Sequence, residues 1–274
     1  MPKNHARLIA IENLSGVEVL IANFADYQFD AHWHETWSMG AVIHGAHDNS
    51  PKATGQGIVS SGQVTIIAPG EVHAGRVVGT EGCQYVMFYF KHSDLINAVE
   101  QLDKKLEPFA LATLEAPELY RELVTCAQVL SEPSSTQFDI EVSWTRCLIL
   151  LVEKLSQTVL TGKPVLQTTD SKRLQVARDY LGSHSESTIT LDQLAKEANL
   201  SKYHLCRQFT LLFNISPNKY LRQIRLHKAR QLLRQGWPVL DVALSCGFSD
   251  QSHFGRQFKA TFGITPNSYA SQFK

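Results

Sequence analysis

Residues 241–269 read DVALSCGFSDQSHFGRQFKATFGITPNSY, and residues 194–221 read LAKEANLSKYHLCRQFTLLFNISPNKYL. The two stretches share an Arg-Gln-Phe step, a second Phe and an Ile-Ser/Thr-Pro-Asn step in the same order. The offset between them is 48 residues at the start and 49 residues after one inserted residue. A repeat of this length predicts two copies of one supersecondary unit.

The first copy contains the residues that begin and join a pair of short helices. Thr190 is followed three residues later by Gln193, which predicts a capping box at the start of a helix. Asn199-Leu200 is predicted to form a turn, and Ser201 is predicted to cap a second helix near residues 201–212. Two short helices joined by a tight turn are typical of a helix-turn-helix unit.

The second copy is punctuated in the same way. Pro238 is predicted to begin its first helix and Gly247 to form its turn. Ser249 or Asp250 is predicted to cap its second helix, near residues 250–261. Between the copies, the stretch from Pro217 to about Gln235 is predicted to be one long helix, which would fix the separation of the two units.

The composition is that of a globular protein. The chain has 274 residues, which is enough for two domains, and hydrophobic residues make up 43% of it. No apolar run suits a signal sequence, and the longest one, residues 147–152, is too short to span a membrane. The five cysteines are scattered without a CxxC spacing, which argues against a disulfide framework. We therefore expect a cytoplasmic protein that has no membrane partner.

The net charge of zero hides an asymmetry between the two ends of the chain. Residues 1–169 carry 11 Lys and Arg against 19 Asp and Glu, whereas residues 170–274 carry 15 against 7. A basic segment that coincides with a helix-turn-helix repeat predicts that this end of the chain meets a polyanion.

The first 160 residues change in pattern along their length. Four apolar runs among the first 90 or so residues predict strands of a small barrel or sandwich, namely Val17–Ala22, Gly40–Ile43, Val64–Ile67 and Tyr85–Phe90. From Leu95 to Leu160 the pattern is helical, with one helix from Pro117 to about Leu130 and another after Ser134-Ser135-Thr136, with apolar positions as far as Val159. The apolar segment 147–152 indicates either a core helix or a dimerisation helix. Gly162-Lys163-Pro164 and Gln167–Lys172 are predicted to form the interdomain linker.

Residues 172–274 resemble the DNA-binding domain of the AraC/XylS family, through the two repeated stretches quoted above. The resemblance implies that the second helix of each unit, which we call the reading helix, enters the major groove of double-stranded DNA. It also implies that one chain can read two successive grooves, about 34 Å apart. Activation of transcription is the commoner mode in this family. A homodimer is expected, and RNA polymerase is a candidate further partner.

Exposed positions on the two reading helices and beside them are the predicted DNA contacts. Arg207 is predicted to make a bidentate contact with guanine, and Gln251 to pair with an adenine edge. Because Arg207 and Arg256 recur at the same place in both copies, the alternative is that they brace the domain. Backbone contacts are expected from Lys202, Asn218, Arg222, Lys259 and Asn267. The full predicted set is Lys202, Tyr203, Cys206, Arg207, Asn218, Arg222, Gln251, Ser252, His253, Arg256, Lys259 and Asn267.

Residues 10–95 resemble the cupin-like sensor domain that precedes the DNA-binding domain in many of these regulators. The resemblance is carried by His32-Trp33-His34-Glu35 and by the stretch from Gly62 to His73 with its Pro69-Gly70 turn. It implies a cavity for a small-molecule effector, with the predicted contacts His32, His34, Glu35, His73 and Arg76. No cofactor is expected, although three imidazoles are chemically sufficient for a metal ion, which makes His32, His34 and His73 an alternative metal site.

These expectations combine into an α+β multidomain protein. An N-terminal cupin-like β-barrel with following helices precedes a C-terminal all-α domain of two helix-turn-helix units joined by a long helix. The expected domains are 1–95 for effector binding, 96–165 for a helical dimerisation region and 170–274 for DNA binding. The predicted function is an effector-responsive DNA-binding regulator and not an enzyme. The alternatives are a metal-dependent cupin enzyme fused to a DNA-binding domain, or a constitutive DNA-binding protein whose barrel only dimerises.

Overall fold

The computed structural model describes residues 4–11, 14, 16–50, 57–107, 109, 111–158 and 170–273. The chain divides into two compact units, with residues up to 163 in the first and residues from 164 in the second, apart from 29–32. These four residues belong to a strand that is hydrogen-bonded into the sheet of the first unit, and they are described with it. The predicted linker residues Gly162-Lys163-Pro164, and Val159 before them, lie outside the described residues.

The first unit is built on one sheet of eight strands with the order β1-β2-β7-β4-β6-β8. Strand β3 also pairs with β7, and strand β5 pairs with β4. The pairings along the main path are antiparallel, and β7 is central because it pairs with both β2 and β4. The strands are β1 His5–Ile11, β2 Val17–Phe24, β3 Gln28–His32, β4 Trp37–Asp48, β5 Ile58–Ser60, β6 Val64–Ile67, β7 His73–Phe90 and β8 Leu111–Leu114.

The four predicted apolar runs are confirmed as parts of β2, β4, β6 and β7. The prediction of a purely helical pattern from Leu95 onward was wrong at Leu111–Leu114, because these residues form strand β8 and pair with β6. A four-residue strand between helices has too few residues for its alternation to be distinguished from helical periodicity. Its place in the sheet depends on pairing with residues about fifty positions earlier.

Three helices cover the sheet: α1 His92–Gln101, α2 Pro117–Ser131 and α3 Gln137–Gln157. Helix α3 follows Ser134-Ser135-Thr136 as the sequence predicts, and Thr136 caps it, with its hydroxyl accepting a hydrogen bond from the Asp139 amide. Within the apolar segment 147–152, Cys147, Leu151 and Val152 are buried in the core shared with the sheet. The segment is therefore a core element of its own unit, and dimerisation through the helix stays a prediction. None of the described helices is long and apolar enough to cross a lipid bilayer.

The second unit is entirely helical among its described residues. Its helices are α4 Ser171–Ser183, α5 Leu191–Glu197, α6 Lys202–Phe213, α7 Pro217–Arg234, α8 Val239–Ser245, α9 Gln251–Phe262 and α10 Pro266–Ala270, followed by a 3-10 turn at Ser271–Phe273. Helix α4 was not predicted from the sequence, and its first two residues were expected in the linker. The helix is nevertheless visible in the sequence, because Leu174, Ala177 and Leu181 recur at helical spacing and are buried.

The first helix-turn-helix unit consists of α5 and α6, and its predicted punctuation is confirmed. Thr190 and Gln193 form a capping box at the start of α5, and the Ser201 hydroxyl accepts a hydrogen bond from the His204 amide at the start of α6. Asn199 makes the turn with a φ of +50°. The two helices pack with α4 around one core made of Leu174, Ala177, Leu181, Leu194, Ala195, Ala198, Leu205 and Phe209.

The second helix-turn-helix unit consists of α8 and α9. Asp250, one of the two predicted residues, caps α9 by accepting a hydrogen bond from the His253 amide at 2.7 Å. Gly247 makes the turn in the left-handed region at a φ of +76°. Pro238 was predicted to begin α8, but it is the cap residue and Val239 is the first helical one. Phe254 and Phe258 are fully buried, so α9 has the same covered inner face as α6.

Helix α7 connects the two helix-turn-helix units and holds the second of them through polar contacts as well as apolar ones. The Gln223 side chain is 1% exposed and donates a hydrogen bond to the Thr261 hydroxyl of α9 at 3.1 Å. Two turns further along α7, the Arg230 guanidinium lies over the rings of Phe262 and Tyr269, 4.8 and 5.3 Å from their centroids. These contacts fix the position of α9 relative to α7.

Arg225 of α7 binds both halves of the repeat at once. Its guanidinium donates to the carbonyl oxygens of Ser185 and Ser187, in the loop before α5, at 2.8 and 2.9 Å. It also donates to the carbonyl oxygen of Gly247, the turn residue of the second unit, at 2.9 Å. A Cβ atom at Gly247 would lie 3.0 Å from the guanidinium carbon, so the turn and the arginine fit closely. Five fixed donors make arginine suited to binding several carbonyls together.

Replacing this arginine is expected to loosen the C-terminal unit. Arg225→Ala should lower the free energy of unfolding by about 2–3 kcal/mol, because the hydrogen bonds of a charged donor are lost and three carbonyls lose their partner. Arg225→Lys should recover only a small part, since an ammonium group cannot reach three carbonyls with fork geometry. Urea unfolding followed by circular dichroism measures both. Arg207→Ala, which removes an exposed arginine of the same unit, is the control and should leave stability unchanged.

Candidate functional site

The exposed side of α6 carries most of the residues that were predicted for the first reading helix. Lys202, Tyr203 and Arg207 are exposed, and Tyr203 is exposed to 88%. Cys206 is half-buried at the bottom of this surface. The Lys202 ammonium lies 2.9 Å from a carboxylate oxygen of Asp192, and both side chains are open to solvent. A solvent-screened pair of this kind is weak, so DNA phosphate can compete for the lysine.

Helix α9 presents the second surface. Gln251, Ser252, Arg256 and Lys259 are exposed on it, as predicted for the second reading helix. His253 is less available, because its ring is half-buried and lies 5.7 Å from the ring of Phe248. Its Nδ1 is also 3.3 Å from the Ser249 hydroxyl. The His253 ring thus packs at the start of α9, and it is a poorer candidate for base contact than its neighbours.

Arg207 and Arg256 were predicted either to contact DNA or to brace the domain. Both are exposed, and in the described part of the chain neither makes a hydrogen bond or an ion pair. The bracing role belongs to Arg225, which the sequence analysis did not single out. Two arginines that recur at one place in the repeat and reach solvent are available for phosphate or base.

The remaining predicted residues lie on the helices that follow each reading helix. Asn218 and Asn267 occupy the same position of the repeat, directly after the proline that opens α7 and α10, and both are exposed. Arg222 lies one turn further along α7 and is half-buried. The structure therefore leaves the two asparagines accessible beside their reading helices, where backbone contacts were predicted.

In the first unit, three of the predicted effector residues come together. His32, His34 and His73 are all buried, and each offers a ring nitrogen within 4.8 Å of one from the others. The ring centroids of His34 and His73 are 5.0 Å apart, and the ring of Tyr89 lies 4.9 Å from that of His34. The structure thus forms a compact imidazole cluster from residues that are up to 41 positions apart in the chain.

Local backbone structure positions these rings. His32 ends β3, His34 lies in the loop that follows, and His73 is the first residue of β7. The Gly70 amide donates a hydrogen bond to the His34 carbonyl oxygen at 2.8 Å, which joins the Pro69-Gly70 turn to this loop. Gly70 has a φ of +76°, a conformation that glycine adopts without strain. The turn therefore needs its glycine in order to bring His73 beside His34.

The other two predicted effector residues do not join the cluster. Glu35 is exposed and lies in the bend that follows the three buried residues His32, Trp33 and His34. Arg76 binds Asp48, with its Nη2 atom 2.9 Å from a carboxylate oxygen of that buried residue. Arg76 was predicted as a partner for an effector carboxylate, but in this structure an internal carboxylate takes that place.

Comparison with known proteins matches both units. The sequence profile of the AraC-like ligand binding domain matches residues 14–143, and that of a helix-turn-helix domain matches residues 194–272.

The chain belongs to the AraC family of transcriptional regulators.

Two relatives of this chain are named as HTH-type regulators, and a solved structure shares its fold. The HTH-type transcriptional regulator YbfI of Bacillus subtilis is 26% identical over 254 residues, which cover 92% of this chain and 90% of that one. The HTH-type transcriptional activator RhaS of Escherichia coli is 38% identical over 85 residues, or 31% of each chain. The crystal structure of ToxT from Vibrio cholerae is similar in fold, with a TM-score of 0.56 over 99% of this chain and 98% of that one, at 12% identity.

The sensor unit of this AraC-family protein also contains a buried polar chain that the sequence analysis missed. His47 Nδ1 lies 2.9 Å from the Asn49 side-chain oxygen, and the Asn49 amide donates to the Thr65 hydroxyl at 3.3 Å. The Thr65 hydroxyl lies 3.4 Å from the Ala112 carbonyl oxygen of β8. The run His47-Asp48-Asn49-Ser50 at a strand end is unusually polar for buried residues, and it was the available signal.

Burial lowers the pKa of His47 to about 4, against the opposing effects of its hydrogen bond to Asn49 and the charge of Asp48. Above pH 6.5 the ring is neutral in the folded and unfolded states alike. As the pH falls from 6.5 towards 4, the unfolded chain takes up a proton that the folded chain refuses, so this group makes the fold less stable.

The stability of the wild-type protein should accordingly fall by up to about 3 kcal/mol more than that of His47→Gln between pH 7 and pH 4.5. Chemical unfolding at a series of pH values gives the difference between the two curves. His44→Gln, at an exposed position of the same strand, is the matched control and should keep the wild-type slope. A His47→Gln curve parallel to the wild type would contradict the assignment.

Proposed function

We propose that this AraC-family regulator binds specific duplex sequences with α6 and α9 in two successive major grooves. The observation that supports this most strongly is the pair Arg207 and Arg256, exposed at one position of the repeat on helices whose inner faces are fully packed. A packed inner face holds each helix rigidly, so its outer side chains can discriminate between base pairs. A basic second unit supplies the phosphate contacts that position it.

The length of α7 supports simultaneous contact with two grooves. The helix has 18 residues and thus spans about 27 Å. Successive major grooves on one face of B-DNA are about 34 Å apart. The length of α7, which connects the two reading helices along the chain, is therefore of the same order as the distance between adjacent grooves.

The proposed effector is a small polar molecule that binds in the first unit. The ligand-binding family match covers this unit, and the buried histidines and Asn49 offer polar groups among apolar walls. A ToxT structure of the same fold was solved with an unsaturated fatty acid bound. The buried imidazoles and the amide of this chain favour a more polar ligand than a fatty acid.

The remaining parts of the proposal concern assembly and output. Activation is proposed because the relative RhaS is named an activator, with RNA polymerase as the partner that an activator contacts. The protein is proposed to act in the cytoplasm, where bacterial DNA is found. A homodimer is proposed through α3, because Phe138 and Val142, one turn apart, are 73% and 42% exposed.

DNA recognition is tested by selection of bound duplexes from a random library with the full chain. We expect enrichment of a site with two half-sites about one helical turn apart. Arg207→Ala and Arg256→Ala should each weaken binding to the selected site by about 1–3 kcal/mol and relax base preference in one half-site. Footprinting and titrations at fixed salt measure both effects.

Arg121→Ala is the matched control, because it removes an exposed arginine from α2 in the other unit. Its affinity for the selected duplex should equal that of the wild type. Failure to enrich any sequence would refute sequence-specific binding. Equal losses on selected and unselected duplexes would show that the two arginines contact only phosphate.

The dimer surface gives a separate prediction. Phe138→Ser should shift the chain towards monomer in sedimentation velocity, with the fold retained, because the replaced ring is exposed rather than packed. The control is Ile58→Ser, which replaces an exposed apolar side chain in strand β5. Phe29→Ser would not serve, because the Phe29 ring is buried. A wild-type chain that sediments as a monomer at all concentrations would disprove the proposed dimer.

A further inference from the structure

We propose that His32, His34 and His73 together hold one divalent ion of a first-row transition metal such as zinc, with a coordination position open to an oxygen of the effector. The three rings come from the end of β3, the following loop and the start of β7, and all three are buried. Imidazole nitrogen is a ligand that zinc, iron, nickel and copper accept readily.

Hydrogen bonds to the backbone select the ring nitrogen that faces the ion. His32 Nδ1 lies 2.6 Å from the carbonyl oxygen of Asp30, and His73 Nδ1 lies 2.9 Å from that of Glu71. A carbonyl oxygen only accepts, so Nδ1 carries the proton in both rings and the lone pair is on Nε2. The same carbonyl two residues earlier is used in both cases. This outer contact is the one that metal-binding histidines commonly make, and it orients the ring.

The spacing of the rings is close to that of a metal site. In a tetrahedral zinc site with bonds of 2.0–2.1 Å, the ligand nitrogens are about 3.4 Å apart. The nitrogens of the cluster lie within 4.8 Å of one another. Rotation of the rings by roughly 1 Å at the nitrogen therefore closes the site.

Three protein ligands leave the ion incomplete. Glu35, the nearest carboxylate in sequence, is exposed and does not supply a fourth ligand. An ion with three protein ligands and one exchangeable position binds water or a ligand oxygen there. A carboxylate or hydroxyl group of a small polar effector has the required chemistry. Only this regulatory part rests on the proposed function, since the ion binds whether or not the chain reads DNA.

The metal alone is the probe in the first experiment. Full-length chain without an affinity tag is treated with a chelator, exchanged into chelator-free buffer and titrated with Co²⁺, whose visible absorption reports its coordination. We expect one Co²⁺ per chain with an absorption band typical of low coordination number, displaced by one equivalent of Zn²⁺. Absence of a saturable signal would overturn the proposal.

Variants identify the ligands. His32→Gln and His73→Gln should each lower the Co²⁺ affinity by at least about a hundredfold, because loss of a ligand costs more than loss of its outer partner. His44→Gln, an exposed histidine of β4, should bind as the wild type does. Unchanged affinity in both cluster variants would place the ion elsewhere and overturn the site.

A conservative variant guards against loss of folding. His73→Cys keeps a ligand at the position, and it should retain binding while adding a thiolate-to-cobalt charge-transfer band. A cooperative thermal transition of each metal-free variant shows that it is folded. Bound Co²⁺ without any selected duplex would refute the DNA-binding proposal alone, whereas duplex binding without bound Co²⁺ would refute the metal site alone.

Discussion

The arrangement of the DNA-binding unit depends on the hydrogen bonds that Arg225 donates to three carbonyl oxygens. Two helix-turn-helix units with small separate cores could each fold and still point in arbitrary directions. One guanidinium on α7 binds the loop before the first unit and the turn of the second, and Gln223 and Arg230 hold α9 on the same helix. The two proposed reading surfaces are thereby held on one rigid helix, so the proposed binding of two grooves needs no further ordering of the protein.

This arrangement separates the residues that hold the domain from those that are proposed to contact DNA. Arg225 is bound to three carbonyls, whereas Arg207 and Arg256 reach solvent on helices with buried phenylalanines beneath them. An arginine engaged with backbone cannot also bind a phosphate. Arginine is thus suited to two different roles in this unit, a brace at Arg225 and a proposed DNA contact at Arg207 and Arg256.

The first unit, which contains the ligand-binding domain, buries polar groups in its sheet. Its sheet buries two polar groups, the imidazole cluster beside the Pro69-Gly70 turn and the chain from His47 to Thr65. Burial of polar groups is costly unless each has a suitable partner, so such groups persist in a core when they serve binding or fix a loop. The hydrogen bond that the Gly70 amide donates to the His34 carbonyl oxygen shows how a turn residue sets the geometry of a side-chain cluster that it does not join.

The sequence by itself determined the repeat, the caps of α5, α6 and α9, and the exposed arginines, because these follow from residue spacing within a few turns of chain. It also singled out the three histidines. Tertiary structure alone decided that Leu111–Leu114 pairs with β6 as a strand and that Glu35 is exposed to solvent. It also decided that Arg76 forms an ion pair with Asp48 and that Arg225 braces the C-terminal unit. The strand pairing, the Arg76–Asp48 ion pair and the Arg225 hydrogen bonds each join residues that are 20 to 50 positions apart, and no local pattern encodes which distant carbonyl or strand edge a residue will meet.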